Sequence, residues 1–191
     1  MNHFLTPDDY KYLYQITAEA TPLKTDCGKL CQSICCRPNN ENTLGMYLFP
    51  GEETMFTGKE DWLDWEEHDP IEHFFPDSWP NPVFFVKCTK QCPRELRPLS
   101  CRFFPLTPHL FNNGNWILIH ETLELPYKCP LIERKFTLDN HFIETIALAW
   151  EILLKDPRIK DLVREDSEER ENAFLRTPEI LWQNTKKLTL E

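Results

Sequence analysis

The chain is expected to fold as an α+β protein, with short strands and ordered loops around a cysteine cluster, packed on C-terminal helices. Three observations lead there. All eight cysteines fall between Cys27 and Cys129. Eight of the 16 prolines lie between Pro70 and Pro108, too densely for long helices in that stretch. The last third changes character: Ile143, Ile146, Ala147, Trp150, Leu153 and Leu154 form one apolar stripe at helical spacing.

At 191 residues the length suits one domain. It divides into an N-terminal helical stretch (1–26), a cysteine-cluster region (27–130) and a helical C-terminal part (131–191). Hydrophobic residues make up 41 % and charged residues 27 %, which supports a packed core and argues against global disorder. The net charge of −10 argues against a nucleic-acid partner, which needs a basic face, and against anionic membrane surfaces. No apolar run is long enough for a membrane span, and the first residues lack the charged and apolar regions of a secretory signal. A cytoplasmic, reducing location is the expectation, and no particular partner is indicated.

Each element has its own signal. Thr6-Pro7-Asp8-Asp9 starts a helix over residues 6–20, with Thr as N-cap and Pro at the first helical position, and Pro22 ends it. Residues 44–49 predict a short strand running into the Pro50-Gly51 turn. Residues 59–82 are acidic and aromatic, and the Pro-rich segment from Pro70 to Pro108 predicts an ordered loop. Val83-Phe84-Phe85-Val86 predicts a strand. Asn113-Gly114 predicts a hairpin joining Leu110 and Phe111 to Trp116-Ile117-Leu118-Ile119. Asp156-Pro157 closes one helix and opens the next, Glu165 to Glu171 reads as a solvated helix face, and Thr177-Pro178-Glu179 predicts a third helix start.

The cysteines carry the chemistry. Cys27, Cys31, Cys35 and Cys36 form C-x3-C-x3-C-C; Cys88, Cys92, Cys101 and Cys129 form the second group. Two groups of four match two tetrathiolate ions, or one cubane cluster and a second site. In a reducing compartment such cysteines read as ligands for zinc or an iron–sulfur cluster; in a secreted chain they would read as disulfides. On a helix Cys27, Cys31 and Cys35 would share one stripe, while adjacent Cys35 and Cys36 would diverge toward two centres. A single cubane needing only four thiolates is the competing picture. Thiolates at a metal accumulate negative charge, so nearby arginines matter: of Arg37, Arg94, Arg97 and Arg102, Arg102 beside Cys101 is the candidate for an N–H···S contact. Trp62, Trp65, Trp79, Phe103 and Phe104 would shield the cluster from water.

Cys27 to Cys36, Gly45-Met46-Tyr47-Leu48-Phe49-Pro50-Gly51-Glu52-Glu53 and Arg97-Pro98-Leu99-Ser100-Cys101-Arg102-Phe103-Phe104-Pro105 together resemble the YkgJ-type cysteine-cluster family. The resemblance covers about residues 27–130, with R-P-x-x-C-R-x-F-P its most specific part. Its usual leading motif is C-x2-C-x2-C-C, where this chain has two x3 gaps. The resemblance implies zinc or iron chelation, with an iron–sulfur-dependent enzyme, as in its flagellin lysine methylase relatives, as the alternative. It leaves the reaction open. The five glycines form no phosphate cradle, and no G-x-S-x-G elbow occurs. His68 and His73, among Glu66, Glu67, Asp69, Glu72 and Asp77, could bind a hard metal or do acid–base work, or simply belong to a charged loop.

Overall fold

The computed structural model describes residues 3–36, 45–122, 124–125, 127–133, 136–173 and 178–184. Thr6 caps helix α1 (Pro7–Ile16) through a reciprocal capping box with Asp9, as the sequence signals. The helix ends short of residue 20. Thr17 returns both its amide and its hydroxyl to the Leu13 carbonyl, at 3.1 and 2.7 Å, and closes the last turn. Tyr10, Leu13 and Tyr14 form its buried face. Tyr10 and Tyr14 donate their hydroxyls to the Pro50 carbonyl and to Glu52, which moors the helix on the turn after residue 49.

Helix α2 (Gly28–Cys31) is one turn long. Strands β1 (Gly45–Tyr47), β2 (Leu63–His68) and β3 (Val83–Cys88) form an antiparallel sheet in the order β1-β3-β2. Strand β2 was not among the elements expected from the sequence, in which residues 59–82 read only as acidic and aromatic. Residues 63–68 are a strand because Leu63 and Trp65 pack on one face while Asp64, Glu66 and His68 alternate onto the other.

Helix α3 (Leu99–Phe103) leads into the expected hairpin, β4 (Leu106–Leu110) and β5 (Trp116–His120). Helix α4 (Pro130–Glu133) is short; α5 (Asn140–Leu153) and α6 (Pro157–Ala173) carry the helical end of the chain. Thr177 lies outside the described residues, and no third helix follows over 178–184. Instead β6 (Trp182–Gln183) pairs with β5, and Trp182 packs its ring 4.6 Å from that of Trp116. Burying that indole on the sheet outweighs the Pro-Glu helix signal.

The main core joins α1, α5, α6 and the second sheet, with Tyr10, Leu13, Phe103, Leu118, Phe142, Ile146 and Leu153 among its buried side chains. Trp150 packs there as the apolar stripe requires. A smaller cluster under the first sheet comprises Leu48, Trp62, Leu63, Val86, Cys88 and Cys92. The cysteine region sits against this second cluster, at the poorer end of the molecule in apolar contacts. The Glu165–Glu171 run is mostly solvated, but Ser167 is buried and donates to the Val163 carbonyl while accepting from the Leu110 amide.

Candidate metal centre

Cys27, Cys31 and Cys35 do not form one helical stripe. Gln32 and Ser33 both take left-handed φ, 56° and 58°, and break the chain after α2. A tight turn over Ile34–Cys36 follows and swings the last two cysteines back. Residues without a glycine's freedom adopt this region only at a cost, so tertiary contacts must hold the break. Its effect is to bring the Cys35 and Cys36 sulfurs within 3.6 Å. The divergence expected of adjacent side chains is corrected: in a tight turn the two thiols face the same space.

The second group arrives from four different elements. Cys88 ends β3, Cys92 follows in the connecting loop, Cys101 sits on α3, and Cys129 precedes α4, whose Ile132 and Glu133 amides return to its carbonyl. Cys88, Cys92 and Cys129 are buried, Cys35 is exposed and the rest are half-buried; all eight are free thiols. The two sequence groups mix in space. Cys88 hydrogen-bonds Cys92; that contact and burial, with Cys101 and Cys36 close by, push the Cys88 thiol up. On the other side Cys27 is pushed up to about 11, first by burial and then by Asp26, Cys31 and Cys129.

Arg97 lies at the junction. The Cys35–Cys36 contact first, and then the Arg97 guanidinium, hold the Cys36 thiol below its ordinary range. Cys92 is lowered in the same way by the hydrogen bond from Cys88 and by a hydrogen bond from Arg97. Arg97 Nε is buried with no partner. Burial first, and then Cys36 and Cys92, push the Cys101 thiol up. Met46 completes the wall, with its sulfur 2.9 Å from that of Cys101.

Arg102 does not take the role expected of it. Its five N–H donors go to oxygen: the carbonyls of Arg97 (2.6 Å), Tyr14 (3.0 Å), Arg94 (3.4 Å) and Glu95 (2.7 Å), and Thr17 Oγ1 (3.1 Å). Residues adjacent on a helix point about 100° apart, so Cys101 and Arg102 on α3 face different ways. Arg102 fastens the 94–97 loop to the end of α1, and Arg97 faces the sulfurs. Arg94 is committed to the Ala18 and Ala20 carbonyls, at 3.1 and 2.9 Å. Arg37 lies outside the described residues. Of the aromatic residues expected to shield the cysteines, Trp62 and Trp65 pack in the cluster with Cys88 and Cys92, and Phe104 lines the cavity beside the thiols. Trp79 and Phe103 belong to the main core.

Beside the thiols lies a cavity of about 340 Å³ lined by Cys27, Cys35, Cys36, Cys101, Arg97 and Tyr127, among others. Among the described residues, no three Cys, His, Asp or Glu side chains stand in a finished ligand arrangement. The donor chemistry nevertheless fits a thiophilic metal. Four sulfurs about 2.3 Å from a tetrahedral zinc stand about 3.8 Å apart, close to the 3.6 Å of Cys35 and Cys36. The unpartnered buried N–H of Arg97 is the donor such a charged centre needs. Sequence reading named Arg97 among the nearby arginines but favoured Arg102 for its adjacency to Cys101. Compared with family models, curated proteins and solved structures, the chain matches none, so the site is read from its own residues.

Proposed function

We propose that this chain is a metal-binding protein that holds zinc or an iron–sulfur cluster through Cys27, Cys31, Cys35, Cys36, Cys88, Cys92, Cys101 and Cys129, in a structural or redox role. One observation carries the reading: Cys27 and Cys36 of the first group and Cys92 and Cys101 of the second gather around the guanidinium of Arg97. Ordinary buried cysteines scatter through a core as small apolar residues. Here one is exposed and two make sulfur–sulfur contact, which apolar packing does not explain.

A bound metal would supply either a crosslink between segments, as zinc, or a one-electron carrier, as a cluster. The chain's own contribution is definable. Arg97 offsets thiolate charge, Met46 covers Cys101, and Trp62 and Trp65 keep the Cys88–Cys92 side dry. The mixing of the two sequence groups supports ligand sets drawn from both. The work belongs to a reducing compartment such as the cytoplasm, where thiolates persist. Among the described residues no helix is long and apolar enough to cross a membrane.

The cavity favours a second reading, an iron–sulfur-dependent enzyme of electron or group transfer, because it opens directly onto four of the thiols. Anaerobic purification followed by metal analysis and visible spectroscopy separates the cases. Brown protein with iron and acid-labile sulfide selects the cluster; colourless protein with stoichiometric zinc selects the structural site. Protein carrying neither metal would refute the proposal.

A further inference from the structure

The first sheet has two working faces. Met46, Leu63, Trp65, Val86 and Cys88 face the cysteine side, and the alternation of β-strand side chains sends Tyr47, Glu66, His68 and Phe85 to the other. On that opposite face Tyr47 Oη stands 2.8 Å from His68 Nδ1 and 2.8 Å from His73 Nδ1. His73 comes from the turn after β2, which folds its ring over His68 in a stack with centroids 4.1 Å apart and planes 11° from parallel. Phe85 closes the other side of His68 at 5.4 Å. Tyr47 Oη thus stands within hydrogen-bond reach of two imidazole nitrogens.

The tautomer is set from behind. Glu66 Oε2 lies 3.1 Å from His68 Nε2, and Lys87 pairs with the same carboxylate. That contact places the ring proton on Nε2 and leaves the Nδ1 lone pair toward Tyr47, the carboxylate–imidazole arrangement that orients metal-binding histidines. The phenol has one proton and can satisfy only one of two unprotonated Nδ1 atoms. His73 is exposed, so its own proton can sit on Nε2 in water, which frees a second lone pair at the same place.

We propose that His68 Nδ1, His73 Nδ1 and Tyr47 Oη form a second metal site, separate from the cysteines, for a divalent ion of the zinc and copper class. Nitrogen donors choose this class over magnesium or calcium, which take oxygen ligands, so the hard metal considered from sequence is replaced by a borderline one. Ligands about 2.1 Å from a tetrahedral ion stand about 3.4 Å apart, and imidazole binds in its own plane, so the hydrogen-bonded trio must open by roughly half an ångström per contact and the His73 ring must turn out of its stack on His68. The exposed turn carrying His73 can supply that movement, and water completes the shell. Glu67, Asp69, Glu72 and Asp77 add a negative field that favours cation arrival.

Zinc chloride titrated anaerobically into the protein as purified tests the site, by calorimetry and by imidazole 15N spectra. The expected result is one equivalent beyond any resident metal, with the His68 and His73 Nδ1 signals shifted and those of His109 and His141 unmoved. That equivalent disappears in His68→Ala and His73→Ala and weakens about tenfold in Tyr47→Phe, while magnesium chloride produces no shift. The histidine signals report this site whether or not the cysteines also take zinc. Unshifted His68 and His73 signals, an equivalent that survives His73→Ala, or an unchanged affinity in Tyr47→Phe would overturn the assignment.

Discussion

Arg97 and Arg102 lie five residues apart and do opposite things. Arg102 is buried, stacks its guanidinium 4.3 Å over the Tyr14 ring and satisfies five oxygens. Removing it in Arg102→Ala leaves those acceptors without water or partner, and chemical denaturation should show a loss on the order of 3 kcal/mol or more. Arg97→Gln should leave the denaturation midpoint nearly unchanged but speed metal loss to a chelator, because its guanidinium hydrogen-bonds Cys92 and acts on Cys36 and Cys101. Glu52 offers a pH test. It is fully buried, accepts from Tyr14, Phe49 and Leu99, and burial raises its carboxyl above 4.5. A carboxyl whose pKa is raised on folding holds its proton more tightly when folded. Its contribution is therefore complete below the unfolded value and declines as pH climbs through the folded one. The stability of wild type relative to Glu52→Gln should be greatest in acid and shrink with rising pH; a constant difference would contradict the burial. The cysteine types and positions were legible in the sequence. Which arginine faces them was not, because it depends on helix rotation and not on adjacency.

At the level of elements, punctuation was easier to read than pairing. The α1 capping box, the Asp156-Pro157 boundary and the hairpin between β4 and β5 rest on local rules that side chains within four residues enforce. Strand β2 was hidden because its solvent face carries charge, which imitates a loop, and β6 because its only evidence is a distant sheet edge. The break after α2 left no sign, since Gln32 and Ser33 are not residues that announce a left-handed turn. The boundary between the last two helices is sharply testable. Asp156 is fully buried and accepts from the Leu5 amide, the Arg158 amide and the Arg158 guanidinium, tying the N-terminal segment to α6. Losing the cap and stranding those donors in Asp156→Ala should cost about 2–4 kcal/mol in denaturant unfolding. The Cys35–Cys36 turn makes a sharper chemical prediction. With sulfurs 3.6 Å apart, Cys35→Ser and Cys36→Ser should each remove the same metal, and full retention in either variant would place that thiol outside the centre.

The molecule as a whole divides its stability unevenly. The main core gathers α1, α5, α6 and the second sheet around many buried apolar side chains, whereas the first sheet packs on a small cluster of which two members are cysteines. A region with so little apolar burial gains most from crosslinks, and a metal supplies them only when bound. Stripping the metal should therefore erase much of the near-ultraviolet circular dichroism from the aromatic residues around the cysteines. The far-ultraviolet signal of α5 and α6 should remain. The α+β class and the helical end were open to sequence reading because they follow from periodicity. The convergence of both cysteine groups on Arg97 was not, because it is made by chain reversals between Cys27 and Cys129. The most direct test of that convergence is a thiol titration against metal content on anaerobically purified native protein. A metal-holding cluster predicts stoichiometric zinc or iron, most of the eight thiols slow to react until the protein is denatured with chelator, and all eight reactive afterwards. Native protein free of both metals, with its thiols reacting at once, would contradict it.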